Sequence, residues 1–274
     1  MTVVVNVKVP SALAPRLKLP IHDNATGLAE VGDGWEIVAL PLGAAWLVGV
    51  AWLLCSAWVR KQCRRREAWL AVDDFGVPLW RCATGMWTQL LVLPTLFALS
   101  LACANFSLNG WVDAAGAAWF TVNGQRFWDW CFCYVFAGYM LEDMFLLRIG
   151  PMMMIHHIGC LVGLIFAFVI CPSGFPYFSA GVIAFEFGSA LLNLYCLYPQ
   201  KRWTLWAYVS SMTCSNAAAG ICCAAWLHQQ FPLGAKAFSA SVTCTFIVIR
   251  QKTCSDYVRQ HRQAKRAMRE LRRT

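Results

Sequence analysis

Between Phe127 and Leu197, the ionisable side chains Glu142, Asp143, His156, His157 and Glu186 stand inside stretches mostly apolar enough to cross a bilayer. An ionisable group near the middle of a membrane helix costs about 2.5–3.5 kcal/mol on insertion scales, so it faces a protected interior and is a functional candidate by default. A carboxylate beside an imidazole fixes the ring's tautomer. The histidine can then act as a general base toward a lipid hydroxyl or amine, or as a nucleophile that carries an acyl group. The candidate catalytic residues are therefore His156, His157, Asp143 and Glu186. The structural alternative is an ion pair between Asp143 and one histidine, a neutral hydrogen-bonded Glu186, and Glu142 paired with Arg148.

The elements that must position these groups follow from spacing. Asp143 lies five residues before Arg148 and His156 five after Pro151. At a helical rise of about 1.5 Å per residue, both sit roughly 7–8 Å inside the same boundary. A tight turn at Gly150-Pro151 makes the two helices antiparallel neighbours and brings acid and histidine pair to one depth. Consecutive His156 and His157 point about 100° apart, so only one of them faces a given partner squarely. Glu186, Ser189 and Asn193 recur at i, i+3 and i+7, one face of the next helix. A polar stripe inside a membrane needs another helix or a cavity beside it. The span after that offers Ser210, Ser211, Thr213, Ser215 and Asn216, either facing the stripe or serving as small packing residues. The expectation is a partly polar chamber, open toward the cytosol or the lipid, with Ser189, Asn193 and Asn216 as substrate contacts.

Composition places this chamber in a membrane. The chain is 59% hydrophobic and only 14% charged, against about a quarter charged in soluble domains. Roughly 20 apolar residues span the hydrocarbon core, and seven such windows occur: 37–59, 87–108, 127–147, 152–171, 175–197, 203–227 and 231–249. The fold class expected is all-α, a polytopic membrane helix bundle of about seven transmembrane helices. Residues 1–35, rich in Pro and Gly, read as a lumenal flexible arm, 36–250 as the membrane domain and 251–274 as a basic cytosolic tail, its last part able to continue the seventh helix. No apolar core with a cleavage site appears in residues 1–20, so no cleaved signal peptide is expected.

With seven spans, 18 Lys and Arg fall on one side and five on the other. Positive charge concentrates in the cytosol, so the N-terminus is expected in the lumen and the C-terminus in the cytosol. The sequon Asn24-Ala25-Thr26 then lies on the lumenal side, and Asn105-Phe106-Ser107 at the lumenal end of a span. The net charge of +9 is a topology signal and calls for no nucleic acid. Its sharper use is at the cytosolic mouth, where Arg64, Arg65, Arg66, Lys201 and Arg202 are candidate contacts for the phosphates of acyl-CoA as co-substrate, or for anionic lipid. Most of the fourteen cysteines fall inside spans as small apolar residues, and no C-x-x-C pair occurs, so neither a disulfide framework nor a structural metal is expected. Juxtamembrane Cys63, Cys82 and Cys254 are candidates for S-acylation.

The order Gly138-Tyr139-Met140-Leu141-Glu142-Asp143, then His156-His157, then Glu186-x-x-Ser189-x-x-x-Asn193 resembles the TLC-domain superfamily, which includes ceramide synthases and smaller TLC-domain membrane proteins linked to lipid homeostasis. The smaller members look like G-Y-x-x-x-D on one helix, a double histidine on the next, and E-x-S-T-P-x-x-N after a gap near thirty residues. Here Glu186 stands 29 positions after His157, with Ser189 where the Thr falls and Gly188 and Ala190 in place of its neighbours. Ceramide synthases look like H-H-x-x-T followed by a second His-Asp pair. This chain has His156-His157-Ile158-Gly159-Cys160 and no histidine between Phe175 and Leu197, so the smaller proteins are the nearer match. The resemblance implies that six helices form a barrel-like TLC domain in the endoplasmic reticulum. It also implies a role in membrane lipid metabolism or composition, membrane lipids as partners, and Tyr139 as a further substrate contact. A ceramide-synthase-like, acyl-CoA-dependent acyltransferase is the enzymatic version. Two other classes fit the same residues: a proton-coupled transporter, in which buried Asp, His and Glu relay protons, and a non-catalytic scaffold.

Overall fold

The computed structural model describes residues 34–63, 65, 70–71, 77–103, 124–147 and 150–271. Residues 1–33 of the N-terminal arm, both sequons, Arg64, Arg66 and Arg148 lie outside them, and the last two arm residues, Gly34 and Trp35, begin the first helix. The described chain is all-α, a bundle of seven continuous helices: α1 (Gly34–Cys63), α2 (Leu79–Cys103), α3 (Gly124–Leu146), α4 (Pro151–Ile165, continued over Phe166–Ile170), α5 (Phe175–Leu197), α6 (Arg202–Leu227) and α7 (Leu233–Leu271). Of these, α1, α2, α5 and α7 are long and apolar enough to cross a membrane. The remaining three are diluted, α3 by Asp129, Glu142 and Asp143 and α6 by its Ser, Thr and Asn residues, while the apolar part of α4 is short. The outer surface is apolar: Trp46, Leu54, Trp58, Ile165, Ile221 and Val248 are each more than half exposed. A water-soluble protein does not display so much contiguous apolar surface, so this is an integral membrane protein.

Two helices depart from the apolar windows read in the sequence. The second window began at Trp87, whereas α2 begins at Leu79, eight residues earlier. The window left Arg81 and Thr84 outside the span, yet both are buried in α2, as is Thr88. Within α2 the chain widens into a π turn over Thr88–Val92 just ahead of Pro94. Proline has no N–H to give and its ring crowds the preceding turn, which the wider turn relieves. The seventh window ended at Ile249, but α7 runs on unbroken to Leu271. Its middle belongs to the bundle, because Cys254 and Tyr257 pack with Tyr195, Leu205, Tyr208 and Met212 in a core cluster. A larger cluster lies among α1 to α5, around Leu93, Phe132, Val135, Phe136, Phe168 and Phe175.

Close approach is set by small residues at two crossings. A Cβ on Gly49 of α1 would stand 2.9 Å from Tyr134 Cβ of α3, and one on Gly188 of α5 would stand 2.4 Å from Ser215 Oγ of α6. Small residues let membrane helices approach backbone to backbone, where dispersion replaces the absent hydrophobic drive. Ser211 and Ser215 of α6 donate back to Tyr208 and Met212 carbonyls, while Ser210 and Thr213 are exposed. The serines of α6 therefore act in packing and do not form a polar wall.

Candidate functional site

Asp143 sits one turn before the end of α3 and His157 two turns into α4, and the short connection lets them meet. His157 Nε2 is 3.1 Å from Asp143 Oδ2, and its Nδ1 is 2.6 Å from the Met153 carbonyl. A carbonyl only accepts, so Nδ1 donates; with Asp143 ionised, Nε2 must donate too, and the ring is a cationic double donor. The other oxygen of Asp143 accepts from Arg81 Nε of α2. Arg81 Nη1 lies 3.9 Å from Glu142 Oε2, and its guanidinium sits 4.3 Å above the Tyr139 ring. Glu142 also accepts from Ser56 Oγ of α1 at 2.7 and 2.8 Å. Two acids and two cations from three helices thus form one buried cluster, to which α1 is tied by a hydroxyl.

A second polar group adjoins it. Gln89 Nε2 donates to Tyr139 Oη at 3.0 Å and to Glu186 Oε2 at 2.6 Å, while its Oε1 accepts from Asn193 Nδ2 at 2.9 Å. A third is organised by Arg250 of α7, whose Nε donates to Asn216 Oδ1 (3.1 Å), Nη1 to Ser189 Oγ (2.9 Å) and Nη2 to the Phe185 carbonyl (2.7 Å). The stripe Glu186, Ser189, Asn193 is therefore shared: its first and last members turn to α2 and the middle one to α7.

His156 points elsewhere than its neighbour, as the 100° step between consecutive helical residues requires. It lines a cavity bounded by α4, α5, α6 and α7, with Glu186, Arg250 and Cys160 at the same end. Its Nε2 is 3.7 Å from Cys160 Sγ, and its ring lies 4.7 Å from that of Phe246. The rest of the wall is apolar, through Phe178, Val182, Ala219, Val242, Phe238 and Trp226, and the cavity volume is about 110 Å³. From Phe238 to Arg250 it follows α7 for roughly 18 Å. α4 and α7 meet across it through aromatic side chains, Phe246 over His156 and Phe238 over Phe166 at 5.3 Å.

Of the sequence-predicted residues, His156 and Glu186 reach the cavity, whereas Asp143 and His157 lie in the ion cluster and Asn193 and Tyr139 in the Gln89 network. Ser189 and Asn216 hold Arg250. Among the phosphate candidates, Arg65, Lys201 and Arg202 are exposed at helix ends, away from the cavity lining. Glu142 turns to Ser56 and Arg81. Of the S-acylation candidates, Cys82 and Cys254 are buried within the bundle. Sequence reasoning missed Arg81, Gln89 and Arg250, the three residues that organise the interior. Arg81 and Arg250 were counted as flanking charge; the signal that could have found them is a lone Arg within six residues of an apolar run, on the face shared with Thr84 and Thr88 or with Phe246 and Thr253.

Comparison with family models, with curated proteins and with solved structures returns no match to this chain. What fold and site define is the class: an all-α integral membrane bundle with a buried ion cluster and a cavity that is apolar along most of its length and polar at one end.

Proposed function

We propose that this protein binds a membrane lipid in the α4–α7 cavity and acts in membrane lipid metabolism or composition, as the smaller TLC-domain proteins it resembles do, in the endoplasmic reticulum. The observation that carries this reading is the polarity of the cavity. An acyl chain matches the walls of Phe178, Val182, Val242 and Trp226, and a hydroxyl, amide or carboxyl head matches His156, Glu186 and Arg250. A concave site with apolar walls and a few convergent polar groups is the usual form of a small-ligand site.

Acyl transfer from acyl-CoA is the second reading, favoured by His156 alone. It is the histidine that borders the cavity, it shares that end with Glu186, and it is free of the acid that occupies His157. In this version His156 accepts the proton of a lipid hydroxyl or amine as that group attacks the acyl carbonyl, and returns it to the CoA sulfur as the thioester C–S bond breaks and CoA leaves as the thiol. A proton-coupled transporter would instead use the ion cluster as its relay.

The test compares wild type with Val242→Trp, which fills the cavity, and with His156→Ala. Each is purified in nanodiscs, its lipids are identified by mass spectrometry, and it is incubated with labelled acyl-CoA and mixed lipid acceptors. A lipid retained by wild type and lost from Val242→Trp supports binding, and a labelled product lost in His156→Ala establishes acyl transfer. Equal lipid retention by wild type and Val242→Trp would refute the proposal. Uptake into proteoliposomes driven by a pH gradient would move the assignment to transport. An N-glycan lost in Asn24→Gln would place the arm in the lumen.

A further inference from the structure

A second concavity lies between α6 and the outer half of α7, separate from the lipid cavity. It encloses about 480 Å³ and is lined by Val209, Cys254, Val258, Arg259, Arg262 and Gln263, with Gln251 and Ser255 at its inner end. Its depth follows from a cluster of rings. Tyr257 lies 5.5 Å from Tyr195 and 5.7 Å from Tyr208. Tyr195 is two residues from the end of α5 and Tyr208 six from the start of α6. Arg259 and Arg262 stand two and five residues beyond Tyr257, about 3 and 7.5 Å farther along the axis, level with the helix ends. At that end Trp203 and Trp206 are exposed on α6, as tryptophans at a membrane–water interface are.

We propose that this groove binds the headgroup of an anionic phospholipid from the adjoining leaflet, the phosphate against Arg259 and Arg262 and the start of an acyl chain against Val209 and Val258. Both arginines are exposed, and neither has an ion pair among the described residues, although Asp256 stands three residues before Arg259. A guanidinium offers a planar fork of donors that matches phosphate oxygens. The valine floor and the interfacial level select a lipid over a soluble phosphate, since a free anion gains nothing from apolar wall. Basic clusters beside a membrane helix are the ordinary means of holding anionic lipid; here the cluster is also given a shaped pocket by α6.

The experiment titrates the detergent-solubilised full chain with dioctanoyl phosphatidylserine, dioctanoyl phosphatidylcholine and inorganic phosphate, reading affinity by native mass spectrometry. Wild type is expected to prefer the serine lipid over the choline lipid, with affinity falling as salt rises. Arg259→Gln/Arg262→Gln should lose that preference, roughly tenfold or more in affinity, while Arg202→Gln keeps it. Equal binding of the two lipids, an unchanged preference in the double variant, or inorganic phosphate binding as tightly as the serine lipid would each overturn the proposal. Should the double variant unfold, a photoreactive phosphatidylserine on the wild type decides: adducts at Val209 or within residues 251–263 support the site, and adducts confined elsewhere refute it.

Discussion

Replacing Arg81 by Met is the sharpest probe of the interior. Arg81 is only 4% exposed and is the cation nearest two acids, Glu142 at 7% and Asp143 at 8%. Its removal leaves Asp143 with His157 and Glu142 with the hydroxyl of Ser56. Breaking a buried ion pair from one side costs about 3–5 kcal/mol, because the partner's charge stays desolvated without compensation. Cutting Asp143 as well, to Leu, removes that stranded charge, and His157 becomes neutral with its Nδ1 still donating to the Met153 carbonyl. The double variant Arg81→Met/Asp143→Leu is therefore expected to be more stable than the sum of the single losses by about 2 kcal/mol or more, a coupling of the size that contacting charged residues show. The assay is unfolding in mixed dodecylmaltoside–SDS micelles, followed by tryptophan fluorescence, with Trp52 reporting near the cluster through its Nε1 bond to Thr88 at 3.1 Å. A loss below about 1 kcal/mol for Arg81→Met, or strict additivity in the cycle, would show that Arg81 is solvated and does not hold the cluster.

The two histidines should separate cleanly in the same assay. His157→Ala is expected to destabilise by about 3 kcal/mol through its buried acid partner, whereas His156→Ala should stay within about 1 kcal/mol and change lipid retention instead; the opposite pattern would reverse their roles. Gly188→Ala places a methyl 2.4 Å from Ser215 Oγ and 2.7 Å from Arg250 Nη2, so it should cost about 1–3 kcal/mol by overpacking, part of it recovered by adding Ser215→Ala. Failure of that second change to recover any stability would place the clash on Arg250 alone. A water-soluble maleimide should label Cys103, exposed at the end of α2, before Cys82 and Cys131, which are buried; early labelling of Cys82 by peptide mass spectrometry would contradict its place in α2.

Sequence by itself determined the class of structure, because composition and apolar runs report directly on transfer into a membrane. The windows at 37–59, 127–147, 152–171, 175–197 and 203–227 fall on α1, α3, α4, α5 and α6, with ends within a few residues. The α3–α4 pairing was also legible, since a short connection fixes neighbours and their depths. The start of the second helix was misjudged at Arg81, and Arg250 of the seventh was counted with the tail, because hydropathy treats a buried or bonded arginine as if it were solvated; the continuation of the seventh helix itself was legible. Only tertiary structure decided how the polar residues divide. Which of two adjacent histidines meets Asp143 depends on the rotation of α4 against α3, and which members of the Glu186 stripe face α2 or α7 depends on two helix crossings made by residues from 61 to 104 positions apart. Those rotations are settled by packing at contacts such as Gly49 with Tyr134 and Gly188 with Ser215, and a linear pattern carries no record of which surfaces will be pressed together.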